Sequence, residues 1–264
     1  MPREIKFTNP NKKWFRRNLF YASCIGLEMT GADRHKGATA VIVASGPSLN
    51  DTQVIQALNG YWARREAGEN IVFYGLKTAI RWLADHHMTP DYGVSIDPGA
   101  HIACEEKIPL VPGVTHIMAS VTAPEVFEYL AEEKVELFHS VCGVEEELDI
   151  YETLYGSRDV AMGGYNVVNR AVGVAQRHGC EKYVIAGADS GWRDDQAMYC
   201  DGVDYMMQRK VFMNDGGKVD GTKWNSTPDM VASGVQLAQF AKSYDKKGEG
   251  GKIVFLGDIL PAQL

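Results

Sequence analysis

The stretch from Thr39 to Asp51, TAVIVASGPSLND, constrains the fold of this chain more than any other. Its run of Val and Ile at 41–43 is typical of a buried strand, and the Ser-Gly-Pro-Ser turn ends that strand. Ser48, with Asp51 three residues on, has the pattern of an N-cap, so we expect a helix to begin there. A glycine lets a ligand approach the backbone, and a helix N-terminus offers unpaired N–H groups to phosphate. The stretch predicts either a plain strand-to-helix turn or a nucleotide cradle made of Ser45, Gly46, Pro47 and Ser48.

Strand and helix patterns alternate along the rest of the chain. The apolar runs predict strands at 40–44, 71–74, 92–96, 115–119, 135–139, 182–186 and 252–256. The periodicity and capping residues predict helices over 51–66, 78–87, 124–132, 163–180 and 227–243. Short continuous apolar runs between helices are typical of parallel strands that are covered on both faces. We therefore expect an α/β, Rossmann-like fold with a mostly parallel sheet and helices on both faces.

Two segments stand outside this alternation. Residues 1–37 hold a polar start and a predicted helix over 12–29, which we interpret as an N-terminal helical appendage. Residues 38–264 would then form the nucleotide-binding domain. Within it, residues 193–226 are rich in Asp, Gly, Met and aromatic residues and lack a period, which predicts an irregular lid.

Composition excludes several classes of protein. The 27 basic and 34 acidic residues give a net charge of −7, which argues against stable nucleic-acid binding. The five cysteines are scattered without C-x-x-C spacing, so we expect neither disulfides nor a zinc site, and the reducing cytoplasm fits. No apolar run reaches the roughly 18 residues of a membrane span, and the N-terminus lacks the apolar core of a signal peptide. The expected location is cytoplasmic, without membrane contact.

Polar or small residues follow four of the predicted strands. In an open parallel sheet the ligand lies outside the carboxyl ends of the strands, so these turns are expected to meet at one crevice. Lys77 would be a phosphate partner or simply a charged residue at the start of its helix. Asp97 would hold a ribose hydroxyl or a metal, accept a proton from an attacking hydroxyl, or only form an Asp-Pro-Gly turn. Asp189, in the Gly-Ala-Asp-Ser turn before the lid, would be a general base or a metal ligand.

A second helix N-terminus is predicted after residue 162. Gly163 and Gly164 are expected to open this helix, which would offer its N–H groups to an anion and the Tyr165 ring to a stacked base. The residues assigned to nucleotide binding here are Gly163, Gly164, Tyr165 and Asn166.

Three stretches carry a resemblance to a known family: VIVASGPSL, TAIRWLADHHMTPDYGVSIDP and GGYNVVNRAVGVAQRHGCEKYVIAGADSGW. Over about residues 38–192 the chain resembles the domain shared by bacterial motility accessory factor glycosyltransferases and archaeal hydroxymethyl-dihydropterin diphosphokinases. It is similar at greater distance to bacterial sialyltransferases that use CMP-sialic acid. The resemblance implies a Rossmann-like fold with a nucleotide at Gly46, Pro47 and Ser48, and roles in the same pocket for Asp97 and the helix after Gly163-Gly164.

The chain departs from these relatives at two places. Relatives often have Asn-Thr-Ala at the second strand end, where this chain has Lys77-Thr78-Ala79. The sialyltransferases place a catalytic histidine in the lid, whereas all seven histidines of this chain precede residue 179.

Three functions are therefore open at the level of sequence. The first is transfer of a sugar from a nucleotide-activated donor to an acceptor hydroxyl, with Asp97 or Asp189 as base. The second is a diphosphokinase that passes a pyrophosphoryl group from ATP to a hydroxymethylated, pterin-like molecule. That reaction requires Mg²⁺, which Asp97 and Asp189 would ligate. The third is a nucleotide-binding module without catalytic activity.

Overall fold

The structure is a computed structural model of the 264-residue chain. It describes residues 12–141, 146–161, 163–164, 166–193, 199–200, 214–219, 222–245 and 253–257. The strands, in chain order, are β1 Thr39–Val43, β2 Ile71–Leu76, β3 Tyr92–Ser95, β4 Thr115–Ala119, β5 Val135–Phe138, β6 Lys182–Ala186, β7 Trp192–Arg193, β8 Asn214–Val219, β9 Thr222–Ser226 and β10 Ile253–Leu256. The helices are α1 Lys12–Cys24, α2 Thr52–Glu66, α3 Ala79–Asp85, α4 Pro124–Tyr129, α5 Glu147–Tyr155, α6 Val167–Arg177 and α7 Pro228–Asp245.

Seven strands form the main sheet, in the order β10-β6-β1-β2-β3-β4-β5, and every pair in it is parallel. The chain moves outward from β1 to β5 on one side and then returns to place β6 on the other side of β1. The strand order therefore reverses between β1 and β6, which is where open α/β sheets bind ligands. This arrangement confirms the predicted α/β, Rossmann-like fold.

Both faces of the sheet are buried, as β1 shows residue by residue. Ala40 and Ile42 pack into the core on the side of α6, α7 and α1, whereas Val41 and Val43 pack against α2 and α3. Successive side chains of a strand point to opposite faces, so a strand that is covered on both faces must be apolar at every position. The continuous apolar run that predicted β1 is thus a direct consequence of its central place.

The local structure after β1 differs from the prediction. Ser48 does not cap α2; it lies inside a short 3₁₀ helix, Pro47–Asn50, and Asp51 is the residue that precedes α2. Gly46, which precedes the 3₁₀ helix, has no side chain to cap it, and the Asp51 side chain makes no capping hydrogen bond to α2. The expected N-cap role of Ser48 is wrong because a side chain from another strand end binds this residue, as described below.

Two further predictions of regular structure need correction. No helix is predicted over 143–162, yet this stretch contains α5, whose Tyr151 is fully buried. The predicted lid is not irregular throughout, because β7, β9 and β8 form a three-stranded antiparallel sheet within it. Most of its remaining residues, including 201–213, lie outside the described residues.

Helix α1 packs into the main core. Phe15 and Leu19 are fully buried there, and the Asn18 amide donates to the Val121 carbonyl at 2.8 Å and the Pro98 carbonyl at 3.2 Å. The domain boundary near residue 37 stays a prediction. Within the part of the chain that the structure describes, no helix combines the length and the apolar character needed to cross a membrane.

Candidate functional site

A cavity of about 230 Å³ opens at the carboxyl ends of β1, β2 and β6, beside the reversal of strand order. The strand-end turns expected to converge do line it, with Ser45 to Pro47 after β1, Lys77 and Thr78 after β2, and residues 187–191 after β6. The start of α6 closes one side through Asn166, Val167 and Val168. The convergence of these turns is a consequence of the parallel sheet, in which all carboxyl ends meet at one edge.

A carboxylate occupies the turn that was expected to cradle a phosphate. Asp189 is 3% exposed, and its Oδ2 accepts the Ser48 backbone N–H at 2.7 Å while its Oδ1 accepts the Ser48 hydroxyl at 2.5 Å. The Gly46 N–H donates to the Gly187 carbonyl at 2.8 Å, and Pro47 has no N–H. The expectation that this turn presents free donors to an anion is therefore wrong for this conformation. We call the Ser48–Asp189 pair the clasp, since it joins the ends of β1 and β6.

The clasp requires glycine at position 46. A Cβ on Gly46 would lie 2.5 Å from both Asp189 Oδ2 and the Gly187 carbonyl oxygen, closer than real Cβ contacts. Gly46 has an ordinary φ of −71°. Position 46 therefore requires glycine because there is no room for a Cβ, and not because of its backbone conformation. The glycine predicted to admit a ligand admits the carboxylate of Asp189.

Lys77 and Asp97 form an ion pair at the mouth of the cavity. Lys77 has a left-handed φ of 50°, which turns the chain out of β2, and its Nζ lies 3.5 Å from Asp97 Oδ2. The other carboxylate oxygen, Oδ1, accepts the Gly99 N–H at 2.9 Å, as a turn-forming Asp does. Asp97 itself does not line the cavity. Its role as a base or metal ligand, like that of Asp189, stays a prediction.

Two residues near Lys77 and Asp97 were missed by sequence reasoning. His101 Nε2 lies 3.5 Å from Asp97 Oδ2, and its exposed ring covers the face of Gly99, where no Cβ is present. Lys107 lines the cavity together with Ile102. Both follow β3 in a stretch without a regular period, so no local pattern marks them. The one signal in the sequence that could have found them is a histidine and a lysine shortly after a predicted strand end.

The start of α6 differs from its predicted form. The helix begins at Val167, and Asn166 caps it, since its Oδ1 accepts the N–H groups of Val168 at 2.9 Å and Asn169 at 3.2 Å. Gly163 and Gly164 do not open the helix or line the cavity; they lie against α7, in a separate groove. The reason is that Asn166, not a glycine, can satisfy the first N–H groups of the helix. Tyr165 lies outside the described residues.

The two carboxylates assigned to a magnesium site do not fit one as they are arranged. Both oxygens of Asp189 are taken by Ser48, and Asp97 faces Lys77 and His101 instead of the cavity. Within the described residues, no group of three or more His, Cys, Asp or Glu side chains is arranged to hold a metal ion. The cationic side chains among the described residues that line the cavity are Lys77, which also contacts Asp97, and Lys107.

Residues 27–195 match the model of a family described as "6-hydroxymethylpterin diphosphokinase MptE-like". The match spans more than half of the chain and includes β1 to β6. The chain belongs to the MptE-like family. No curated protein is similar enough in sequence to count as a relative.

The fold is also similar to a solved structure, the MAf glycosyltransferase from Magnetospirillum magneticum AMB-1. The TM-score is 0.64 at 17% sequence identity, and the match covers 96% of this chain. This chain spans only 38% of the length of that glycosyltransferase chain. The similarity includes the region beyond residue 195, where the family model ends. The names of the family and of the solved structure both describe transferases.

Proposed function

We propose that this protein is a nucleotide-dependent transferase that moves a sugar from a nucleotide-activated donor to an acceptor hydroxyl. The observation that carries the proposal is the pair of lysines, Lys77 and Lys107, in a largely apolar cavity at the point where the strand order reverses. An ammonium group in a partly desolvated site attracts phosphate more strongly than in water. Family membership supports a phosphate-bearing donor, and the glycosyltransferase of similar fold supports a sugar as the transferred group.

The proposed roles follow from where each side chain lies. Lys77 and Lys107 bind the donor phosphates and stabilise the charge that develops on the leaving nucleotide. The clasp holds the ends of β1 and β6 together and so keeps the cavity in shape. Tyr199, which also lines the cavity, offers an aromatic face to the base.

His101 is the general base in this proposal, and Asp97 orients it. The 3.5 Å separation of Nε2 and Oδ2 is longer than a hydrogen bond, and such contacts often tighten only when substrate binds. The acceptor hydroxyl gives its proton to the imidazole while its oxygen bonds to the anomeric carbon. The bond from that carbon to the phosphate oxygen breaks, and the nucleotide leaves with the electron pair. The Lys77–Asp97 contact places this base beside the phosphate site.

A second candidate is the diphosphokinase reaction, which the family match over residues 27–195 favours. In that reaction the same lysines would hold the phosphates of ATP. Because Asp97 and Asp189 do not fit a shared Mg²⁺ in this arrangement, we assign no step through a metal.

The binding half of the proposal is tested by thermal shift with CMP, UDP, GDP, AMP and ATP, each with and without Mg²⁺. A nucleotide at 100 times its dissociation constant stabilises the fold by about 2.7 kcal/mol. Lys107→Gln is expected to weaken binding about tenfold, the effect of losing one charge-assisted hydrogen bond. Lys36→Gln, at an exposed lysine away from the cavity, is the matched control. Equal binding by both variants, or no stabilisation of the parent by any nucleotide, contradicts the proposal.

The chemical half is tested with donors of the nucleotide class that binds. His101→Gln is expected to lower kcat about a hundredfold or more, with nucleotide affinity unchanged. Asp97→Asn should lower kcat by a smaller factor, because Asp97 acts only through His101. Turnover of a nucleotide sugar in chelator supports sugar transfer, whereas ATP-dependent pyrophosphoryl transfer that stops in chelator supports the diphosphokinase.

A further inference from the structure

A groove of about 370 Å³ lies between α1 and α5. Arg16 and Phe20 of α1 line one wall, and Glu146, Ile150 and Leu154 line the other. None of these residues lines the cavity at the strand ends. We call this surface the α1/α5 groove, and the proposed transfer reaction makes no use of it.

The α1/α5 groove exposes a contiguous apolar surface. Phe20 is 63% exposed, more than any other large apolar side chain in the described ranges, although Phe15 and Leu19 of the same helix are fully buried. The half-buried Ile150 and Leu154 continue this surface on α5. A single exposed apolar side chain is ordinary, but a contiguous patch with a polar rim marks a site of protein interaction.

The two walls of the groove are held firmly against each other. The rings of Phe15 and Tyr151 pack with their centroids 6.4 Å apart, and the Tyr155 hydroxyl donates to the Leu19 carbonyl at 3.1 Å. These contacts join α1 to α5 beneath the groove. A partner therefore meets a preformed surface, and binding does not require the two helices to be ordered first.

The charges at the rim identify the kind of partner. Arg16 on α1 and Glu146 before α5 are both exposed, and within the described part of the chain neither side chain has an ion-pair partner. The neighbouring Asp149 is already paired with Arg158 at 2.7 Å. One surface thus carries an unpaired cation on one wall and an unpaired anion on the other.

We propose that the α1/α5 groove is a two-fold interface between two copies of this chain. A two-fold axis sets the same patch against itself, so Arg16 of each copy meets Glu146 of the other. The same axis lets the exposed Phe20 ring of each copy enter the groove of the other, against Ile150 and Leu154. The patch supplies the projecting ring, the groove and both charges, so a second copy satisfies all of them. This interface is independent of the proposed sugar transfer.

The first test is sedimentation velocity of the full chain from about 1 to about 100 µM, where a small interface of micromolar affinity passes from monomer to dimer. Reductant is present throughout, because Cys24 is exposed at the end of α1. Phe20→Ser is expected to raise the dissociation constant about tenfold or more, since a buried aromatic anchor is lost. Val235→Ser, at an exposed apolar residue of α7, is the matched control and should dimerise as the parent does.

A charge exchange tests the two-fold symmetry itself. Arg16→Glu sets two like-charge contacts against Glu146, and Glu146→Arg sets two against Arg16, so each variant alone should dimerise about tenfold more weakly. When the two variants are mixed, both contacts join opposite charges, and the mixed dimer should form with about the affinity of the parent. Native mass spectrometry distinguishes the mixed dimer by mass, and Lys36→Glu, at an exposed lysine away from the groove, is the control.

Three results would overturn the proposal. One is a parent that stays monomeric up to about 100 µM, which would leave the groove to a protein of different sequence. The others are a dimer that Phe20→Ser does not weaken and charge variants that pair with each other no better than with themselves. Nucleotide-induced stabilisation of Phe20→Ser reports separately on the cavity, so a failure of this interface is distinguished from a failure of the transferase proposal.

Discussion

Lowering the pH from 7 to 5 is expected to cost this fold about 6 kcal/mol, because three histidines are buried in their neutral form. His116 and His178 are fully buried, and His139 is 1% exposed. Burial lowers the pKa of His116 and of His139 from 6.5 to about 4, and burial together with the nearby charge of Arg34 lowers the pKa of His178 to about 3.

The direction of this change in stability follows from which state, folded or unfolded, takes up the protons. The unfolded chain binds a proton at each histidine near pH 6.5, whereas the folded chain does so only near pH 4 or 3. The contribution of each histidine to stability is therefore complete above about pH 6.5 and is lost as the pH falls toward the folded pKa. Between pH 7 and 5 each site loses about 2 kcal/mol, and a typical domain has only about 5–15 kcal/mol in total.

His116 gives the sharpest test, because neither ring nitrogen has a hydrogen-bond partner among the described residues. His116→Leu removes one titrating site and two buried polar atoms, so the loss between pH 7 and 5 should shrink by about 2 kcal/mol. Urea unfolding at pH 7, 6 and 5, followed by circular dichroism, measures this, with the exposed His87→Asn as control. The reasoning is refuted if the free energy of unfolding of the parent does not change between pH 7 and 5. It is also refuted if His116→Leu loses as much stability over this range as the parent does.

The clasp gives two further predictions. Gly46→Ala is expected to lower the free energy of unfolding by about 1–3 kcal/mol, since its Cβ would meet Asp189 Oδ2 at 2.5 Å. Gly60 lies in the middle of α2, and a Cβ added there would have nothing within 4 Å, so Gly60→Ala should instead stabilise the fold by about 0.5–1 kcal/mol. Equal shifts in melting temperature for the Gly46→Ala and Gly60→Ala variants would show that Gly46 is not tightly packed. Ser48→Ala and Asp189→Asn, alone and combined, should show a coupling energy of about 1–3 kcal/mol in denaturant unfolding, and strict additivity would mean that the clasp contributes no stability.

The predictions from sequence that agree most closely with the structure concern the sheet. The run Lys182–Ala186 was expected to be a strand and is β6, with the same bounds. A strand covered on both faces needs apolar residues at its buried positions, here Tyr183 to Ala186, so the local sequence marks where it lies. The same is true of the strand ends, because Gly, Pro, Ser and Asp residues mark where each run stops and parallel strands must end on one side. Local patterns failed where a long-range contact decided the structure, as at Ser48, which has the spacing of an N-cap but binds Asp189 from 141 residues away.

The sequence alone determined that this chain folds into a parallel α/β sheet and that its strand ends meet at one edge, since both follow from hydrophobic runs and turn residues within short windows. Only the tertiary structure decided what each polar group at that edge does. It brought Lys107 to the cavity, set His101 beside Asp97, used Asn166 as a cap and placed Gly164 in a separate groove against α7. A residue's apolar or polar character is a local property, but its partners depend on how distant segments pack. The candidate site is made of such partners.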